Sequence, residues 1–276
     1  AQLNMNIFNP KTVSVGDLFV GALIPGLLLV GLYILYLIVY TRLQPEAAPA
    51  AAAEPLGGGE ILRSLLPPLA LIIVVLGSIL AGAATPTEAA GIGAVGALIL
   101  ALAKRQMSLQ RLREALQSTL EVTCMVFMIL IGAAVFSLVF RGFGGEELIH
   151  HFFEGMPGGV MGATLVVMVM IFLLGFILDF IEITFVVVPI VGPILLTMGV
   201  DPVWLGIMIA LNLQTSFLTP PFGFALFYLR GVAPEEVPTS AIYRGVVPFI
   251  MLQLLLIVAL WFWPAMATWL PELLKH

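Results

Sequence analysis

The sequence predicts an all-α protein that crosses a membrane several times. Its 276 residues are 61% hydrophobic and only 10% charged, and the mean hydropathy is +1.13. Soluble domains carry about 25% charged residues, so a soluble fold could not hide this much apolar surface. Apolar runs of about 20 residues, the length that a helix needs to span the hydrocarbon layer, recur along the chain.

Polar or Pro- and Gly-rich stretches separate these runs and divide the chain into six segments. Residues 104–118 have polar and apolar side chains at helical spacing, which predicts a surface helix before a span over 120–140. In chain order the segments are an N-terminal segment with the first transmembrane helix (1–42), an Ala/Pro/Gly linker (43–61), three transmembrane helices with a cytoplasmic surface helix (62–140), a periplasmic connection (141–162), a re-entrant hairpin and a broken helix (163–230), and the last transmembrane helix with the C-terminal tail (231–276).

Basic residues orient the spans, because cytoplasmic loops retain lysine and arginine. Alternation of the spans places eight basic residues on one side and three on the other. We therefore expect the first side to be cytoplasmic and both termini of this chain to be periplasmic. The eight are Arg42, Arg63, Lys104, Arg105, Arg111, Arg113, Arg230 and Arg244.

Residues 163–200 form two apolar arms of about 17 residues around the sequence "LDFIE". Each arm is at the lower limit for a membrane span. The connection is too short and too apolar for an aqueous loop at the far membrane face. It suits the tip of a re-entrant hairpin near the bilayer midplane, where irregular backbone is tolerated if it lines a cavity.

Two carboxylates occupy this tip, Asp179 and Glu182. One helical turn would place them on the same face, where they could coordinate a cation or relay protons. Alternatively, Asp179 caps a second arm that begins near Ile183. The sequence "TPTEAAG" is similar, and we expect Thr85 or Thr87 to cap the third span with Glu88 in its first turn.

The next apolar run is interrupted at Thr219, Pro220 and Pro221. The prolines remove two amide donors and forbid a regular helix, so carbonyl oxygens and the Thr219 hydroxyl become available to a hard cation such as Na⁺. Gly223 permits close approach of backbone. A proline kink with hydroxyls bonded back to the helix is the alternative. Further polar groups enter the break at Asn212, Gln214, Thr215 and Ser216.

Other classes of function find no support in the sequence. Basic residues are few and scattered, which gives no indication of nucleic-acid binding. A Walker A motif and a Gly-x-Ser-x-Gly nucleophile elbow do not occur, so we expect neither ATP-driven transport by this chain nor enzymatic activity. The one cysteine, Cys124, is expected to be buried and inert.

Three stretches together resemble the large membrane subunit of tripartite ATP-independent periplasmic (TRAP) transporters. They are "LFVGALIPGLLL", "GAATPTEAAGIGA" and the long run from "GFILDFIEITF" through "GVDPVWLGIM" to "TPPFGFALFYLRGVAP". The resemblance covers nearly the whole chain except the linker.

The resemblance implies a Na⁺-coupled secondary importer, a symporter of organic acids, with an elevator mechanism in the bacterial inner membrane. It implies three partners besides the lipid bilayer: a periplasmic substrate-binding protein, a small TRAP membrane subunit and a chain carrying the first of two inverted repeats. The family's cation site maps onto the hairpin at Gly175 to Glu182 and onto the break at Thr219 to Gly223. Na⁺ is the coupling ion, with Thr219 as a metal ligand, and no other cofactor is expected.

The family's first repeat carries a Ser-Gly-Ser tip and a Pro-Pro-Ser break. Neither precedes "LFVGALIPG" here, so we expect this chain to hold only the second repeat. A second hypothesis follows, in which the chain is an incomplete transporter half that serves as a non-transporting membrane scaffold or accessory subunit of a larger complex.

Overall fold

The computed structural model describes residues 13–47, 58–220, 223–234 and 237–274. These residues contain helices and no strand. Six of the helices are long and apolar enough to cross a membrane, which confirms the predicted all-α polytopic membrane fold.

Twelve α-helices account for most of these residues. They are α1 (Val15–Leu43), α2 (Gly58–Leu80), α3 (Pro86–Ala103), α4 (Leu109–Gly142), α5 (Gly145–Glu154), α6 (Gly159–Leu174), α7 (Phe180–Glu182), α8 (Val188–Thr197), α9 (Pro202–Leu218), α10 (Phe224–Val232), α11 (Thr239–Phe262) and α12 (Ala265–Leu274). A short 3₁₀ turn over Pro45–Ala47 follows α1, and a π-helical segment, Ile183–Val187, joins α7 to α8.

One compact unit comprises Ser14–Val20 and Ile34–Val122, and the hairpin of α2 and α3 is its main feature. Thr85 caps α3 as expected: its hydroxyl accepts from the Glu88 amide at 3.4 Å, and the Glu88 carboxylate accepts from the Thr85 amide at 2.8 Å. The two helices approach closely at Gly96, where an added Cβ would lie 2.3 Å from Leu71 Cδ1.

Helix α4 corrects one expectation. The surface helix and the following span are a single helix of 34 residues. No glycine or proline interrupts the junction, and amide-to-carboxylate hydrogen bonds from Gln110 to Glu114 and from Gln117 to Glu121 reinforce it. Cys124 is exposed on this helix rather than buried.

The other unit comprises Gly21–Tyr33 and the chain from Thr123 onward. Helix α9 lies at its centre and contacts α6, α10, α11 and α12. Trp204 anchors α9 to α11, since its indole Nε1 donates to the Leu260 carbonyl at 2.9 Å in a buried position. Met208 on α9 and Leu256 on α11 are fully or almost fully buried in the same core.

Helix α6 and the continuous helix Phe180–Thr197 form the predicted hairpin, and their arms contact each other. The tip differs from the expectation by a few residues: the turn spans Gly175–Leu178, and helix resumes at Phe180 rather than near Ile183. At 1.5 Å per residue, arms of 16 and 18 residues reach about 24 and 27 Å. Both fall short of the roughly 30 Å hydrocarbon layer. That the hairpin is re-entrant stays a prediction.

Candidate functional site

The hairpin tip meets the entrance of the broken helix where two helix C-termini converge. Gly175 caps the end of α6, and Ser216 lies in the last turn of α9. A Cβ added to Gly175 would lie 2.2 Å from the Ser216 hydroxyl oxygen, so the glycine permits this contact. Each helix C-terminus carries about half a negative charge, and two of them together favour a cation.

A small cavity lies at this junction. Its volume is about 10 Å³, which is near the lower limit for one water molecule. Gly175, Leu178, Phe180, Ile183, Leu213, Ser216 and Phe217 line it. The rings of Phe180 and Phe217 close one side in an edge-to-face contact with centroids 6.1 Å apart.

Both irregular segments expose backbone carbonyls. No hydrogen bond from a described residue reaches the carbonyl oxygens of residues 175–178 or 218–220. At the break, Gly223 lies against this backbone: an added Cβ would be 3.0 Å from the carbonyl oxygens of both Phe217 and Thr219. The structure therefore gathers oxygen atoms of the kind that unwound transporter helices offer to Na⁺.

The hydroxyls of α9 bond back into their own helix, as the kink alternative expects. Thr219 Oγ1 donates to the Thr215 carbonyl at 2.7 Å, and Thr215 Oγ1 donates to the Leu211 carbonyl at 2.7 Å. These bonds use the hydroxyl hydrogens and leave oxygen lone pairs able to accept or coordinate. Helix α9 ends at Leu218 and α10 begins at Phe224, and Thr219, Pro220 and Gly223 between them are not helical.

The two carboxylates of the hairpin lie at the start of its second arm. Asp179 has extended backbone, and its side chain accepts from the Phe180 amide at 2.7 Å. Glu182 lies in the first helical turn, where a negative charge faces the positive end of the helix dipole. Neither carboxylate lines the small cavity. The geometry thus shows the capping contact of Asp179.

Three further predicted site residues have separate positions. Gln214 is exposed on α9 and does not line the cavity. Pro220 is the last described residue before the break, and Pro221 lies outside the described residues. The structure thus brings Thr219 and Gly223 together at the break, and it places Gly175 against Ser216 on the tip side.

Two residues matter more than the sequence indicated. The sequence shows Ser216 only as one of several polar groups before the break. Among the described residues that line the cavity, it is the one that supplies a hydroxyl. Asn212 is 3% exposed, and its side-chain amide donates to the Met168 carbonyl at 2.7 Å, which ties α9 to α6. The spacing of Asn212, Ser216 and Thr219 at one-turn intervals was the available signal.

Side-chain metal ligands do not cluster in the part of the chain that the structure describes. No group of three or more His, Cys, Asp or Glu residues there could hold a metal ion.

Comparison with known proteins gives a consistent result. A family profile described as "Tripartite ATP-independent periplasmic transporter, DctM component" matches residues 3–266. The ectoine/5-hydroxyectoine TRAP transporter large permease protein UehC of Ruegeria pomeroyi is 31% identical over 95% of this chain and 61% of its own length. The C4-dicarboxylate large permease DctM of Pseudomonas aeruginosa is 30% identical over 94% and 60%, respectively.

The sialic acid large permease SiaM of Vibrio cholerae is also similar, at 29% identity over 95% of this chain and 61% of its own length. The chain thus spans about three fifths of the length of these relatives. A profile match over nearly every residue, together with the apolar helices, the hairpin and the Pro-broken helix, shows that this membrane protein belongs to the DctM family of TRAP transporter large permeases.

Proposed function

We propose that this chain forms the second-repeat half of the transport core in a Na⁺-coupled importer of organic acids. The observation that carries the proposal is the junction of Gly175 with Ser216. Two helix C-termini meet there, and no donor from a described residue reaches the tip carbonyls of residues 175–178. Na⁺ is the coupling ion, and Thr219 contributes a ligand from the break.

Anion recognition follows from the opposite helix ends. Helix α10 begins at Phe224, so the break also presents a helix N-terminus. Such ends attract carboxylate groups. Two of the similar proteins are named for a dicarboxylate and for sialic acid, which supports an organic acid as the substrate class.

The proposed partners are a periplasmic substrate-binding protein, a small TRAP membrane subunit and a chain or segment that carries the first repeat. Membership of the family supports this assembly. The inner membrane is the proposed location, with the Arg- and Lys-rich loops on the cytoplasmic side.

The test is uptake into proteoliposomes that contain the complete permease, with the binding protein added outside. A radiolabelled C4-dicarboxylate and sialic acid serve as trial substrates. We expect uptake with an inward Na⁺ gradient and little with an equal K⁺ gradient. Uptake that ignores Na⁺ would refute the coupling. A stable complex that transports no trial substrate under any gradient would favour the scaffold hypothesis.

A further inference from the structure

The α2–α3 hairpin carries a second feature, an open groove that the proposed transport site does not use. The groove has a volume of about 680 Å³, within the range of sites that bind small ligands. Its walls are apolar side chains of both helices, among them Pro67, Leu71, Val74, Ile92, Val95 and Ile99. Val74 and Ile99 remain 54% and 58% exposed, so nothing within this unit fills the groove.

The antiparallel register of α2 and α3 defines the ends of the groove. Gly96 lies against Leu71. One turn further along, a Cβ added to Gly93 would lie 3.4 Å from Val75 Cγ2. Continued in the other direction for two turns, this register places Arg63 level with Lys104. Arg63 comes one turn before Pro67 on α2.

Cationic side chains therefore flank one end of the groove. Arg63, Lys104 and Arg105 are all exposed. Lys104 follows Leu100, the last groove residue on α3, by one turn, or about 6 Å along the axis. The opposite end of the hairpin, residues 81–88, has no basic residue and contains Glu88. The charge is confined to one mouth.

The backbone at this mouth favours the cations in a further way. The Gln106 amide donates to the Ala101 carbonyl and the Arg105 amide donates to the Leu102 carbonyl, both at 2.9 Å. This is the helix-ending motif in which glycine usually holds the left-handed position. Here Arg105 holds it, with φ 53°. The left-handed conformation costs a non-glycine residue roughly 1–2 kcal/mol, and no other arginine of the described residues adopts it.

We propose that the groove binds one anionic phospholipid, with an acyl chain along Leu71, Val95 and Ile99 and the phosphate at Arg63, Lys104 and Arg105. An apolar channel that ends in a cationic mouth matches an amphiphile with a negatively charged head group. A helix of a partner protein would leave three cations without a counter-charge. The inference does not depend on the proposed transport cycle.

Native mass spectrometry of the complete protein in detergent tests this. Phosphatidylglycerol and phosphatidylcholine with identical acyl chains are titrated separately. We expect one tightly retained phosphatidylglycerol and weaker retention of phosphatidylcholine. The double variant Lys104→Gln/Arg105→Gln should lower phosphatidylglycerol affinity at least ten-fold, since each surface cation contributes about five-fold. Arg244→Gln, an exposed arginine that does not line the groove, is the charge control.

A second variant tests the apolar part without altering charge. Gly91 lines the groove, and an added Cβ there meets nothing within 4 Å. Gly91→Leu should fill the groove and weaken retention of both lipids at least five-fold. Gly132→Leu, at an equally open position on α4, should change neither. Equal retention of both lipids, or retention unchanged in both groove variants, would show ordinary solvating lipid and overturn the proposal. So would release of a bound polypeptide by Gly91→Leu.

Discussion

Gly175 packs against Ser216 so closely that a single added methyl group would come within 2.2 Å of the serine hydroxyl oxygen and 2.5 Å of its Cβ. The contact joins the end of α6 to the last turn of α9. It therefore fixes the hairpin tip beside the entrance of the break.

We expect Gly175→Ala to force the hairpin tip away from α9. Overpacking of this kind costs about 1–3 kcal/mol. Because the hairpin tip is displaced, the Na⁺ concentration that gives half-maximal uptake should rise. The double variant Gly175→Ala/Ser216→Gly removes the clashing side chain and should recover much of that loss. Gly192→Ala is the control, because its Cβ meets only Val188 Cγ1 at 3.7 Å. A Gly175→Ala protein with normal Na⁺ dependence would show that this contact does not shape the ion site.

Thr219→Val keeps the side-chain shape but removes the hydroxyl that we propose as a cation ligand. A lost hydrogen-bond-like interaction with a charged group costs roughly 1.5–3 kcal/mol. Apparent Na⁺ affinity should then fall by about one to two orders of magnitude. Thr219→Ser keeps the hydroxyl and should retain most of the affinity. Unchanged Na⁺ dependence of uptake in Thr219→Val would instead favour a kink in which the hydroxyl serves only the Thr215 carbonyl.

Two substitutions of Asp179 distinguish a helix-capping role of its carboxylate from a role as an ion ligand. Asparagine is as good a cap as aspartate, whereas alanine costs about 0.5–2 kcal/mol. We expect Asp179→Asn to keep both thermal stability and Na⁺ affinity, and Asp179→Ala to lower the unfolding temperature. Loss of Na⁺ dependence in a stable Asp179→Asn protein would identify the carboxylate as a ligand.

The bond from Asn212 to the Met168 carbonyl should stabilise the packing of α9 on α6. Interhelical hydrogen bonds in membrane proteins contribute about 0.6 kcal/mol and at most about 1.7. Asn212→Leu should therefore lower stability in detergent by an amount in this range. Gln214→Leu is the same chemical change on the exposed side of the same helix, and its stability should not fall. Equal effects of the two variants would contradict a specific role for the buried bond.

Much of this fold could be predicted from the sequence because its signals are local. Apolar length indicates the helices, Thr85 with Glu88 indicates the start of α3, and the prolines after Thr219 indicate the break. The cap at Asp179 and the hairpin follow from the same kind of local chemistry. These features depend on hydrogen bonds between residues no more than a few positions apart.

The details of the site could not be predicted in the same way. In a membrane, the outer face of a helix is as apolar as its packed face, so the sequence carries no amphipathic pattern that shows which way a residue points. For that reason Ser216 could not be distinguished from Gln214 as the residue that meets the tip. The continuity of α4 and the π-helical segment behind the tip likewise depend on packing and backbone geometry, which composition does not reveal.

The π-helical segment Ile183–Val187 has a consequence for how the hairpin tolerates change in length. A π turn accommodates one residue more than an α-helical turn, and each residue of an α-helix rotates the side chains by about 100°. Deletion of one residue there would remove the wider turn and leave a regular helix, so α8 would not undergo the rotation that a deletion in regular helix imposes. Val191 and Leu195, now buried, would stay buried, and the Asp179 cap would stay in place. Among homologous proteins, a one-residue deletion at this position should therefore leave the pattern of large and small side chains along α8 unchanged.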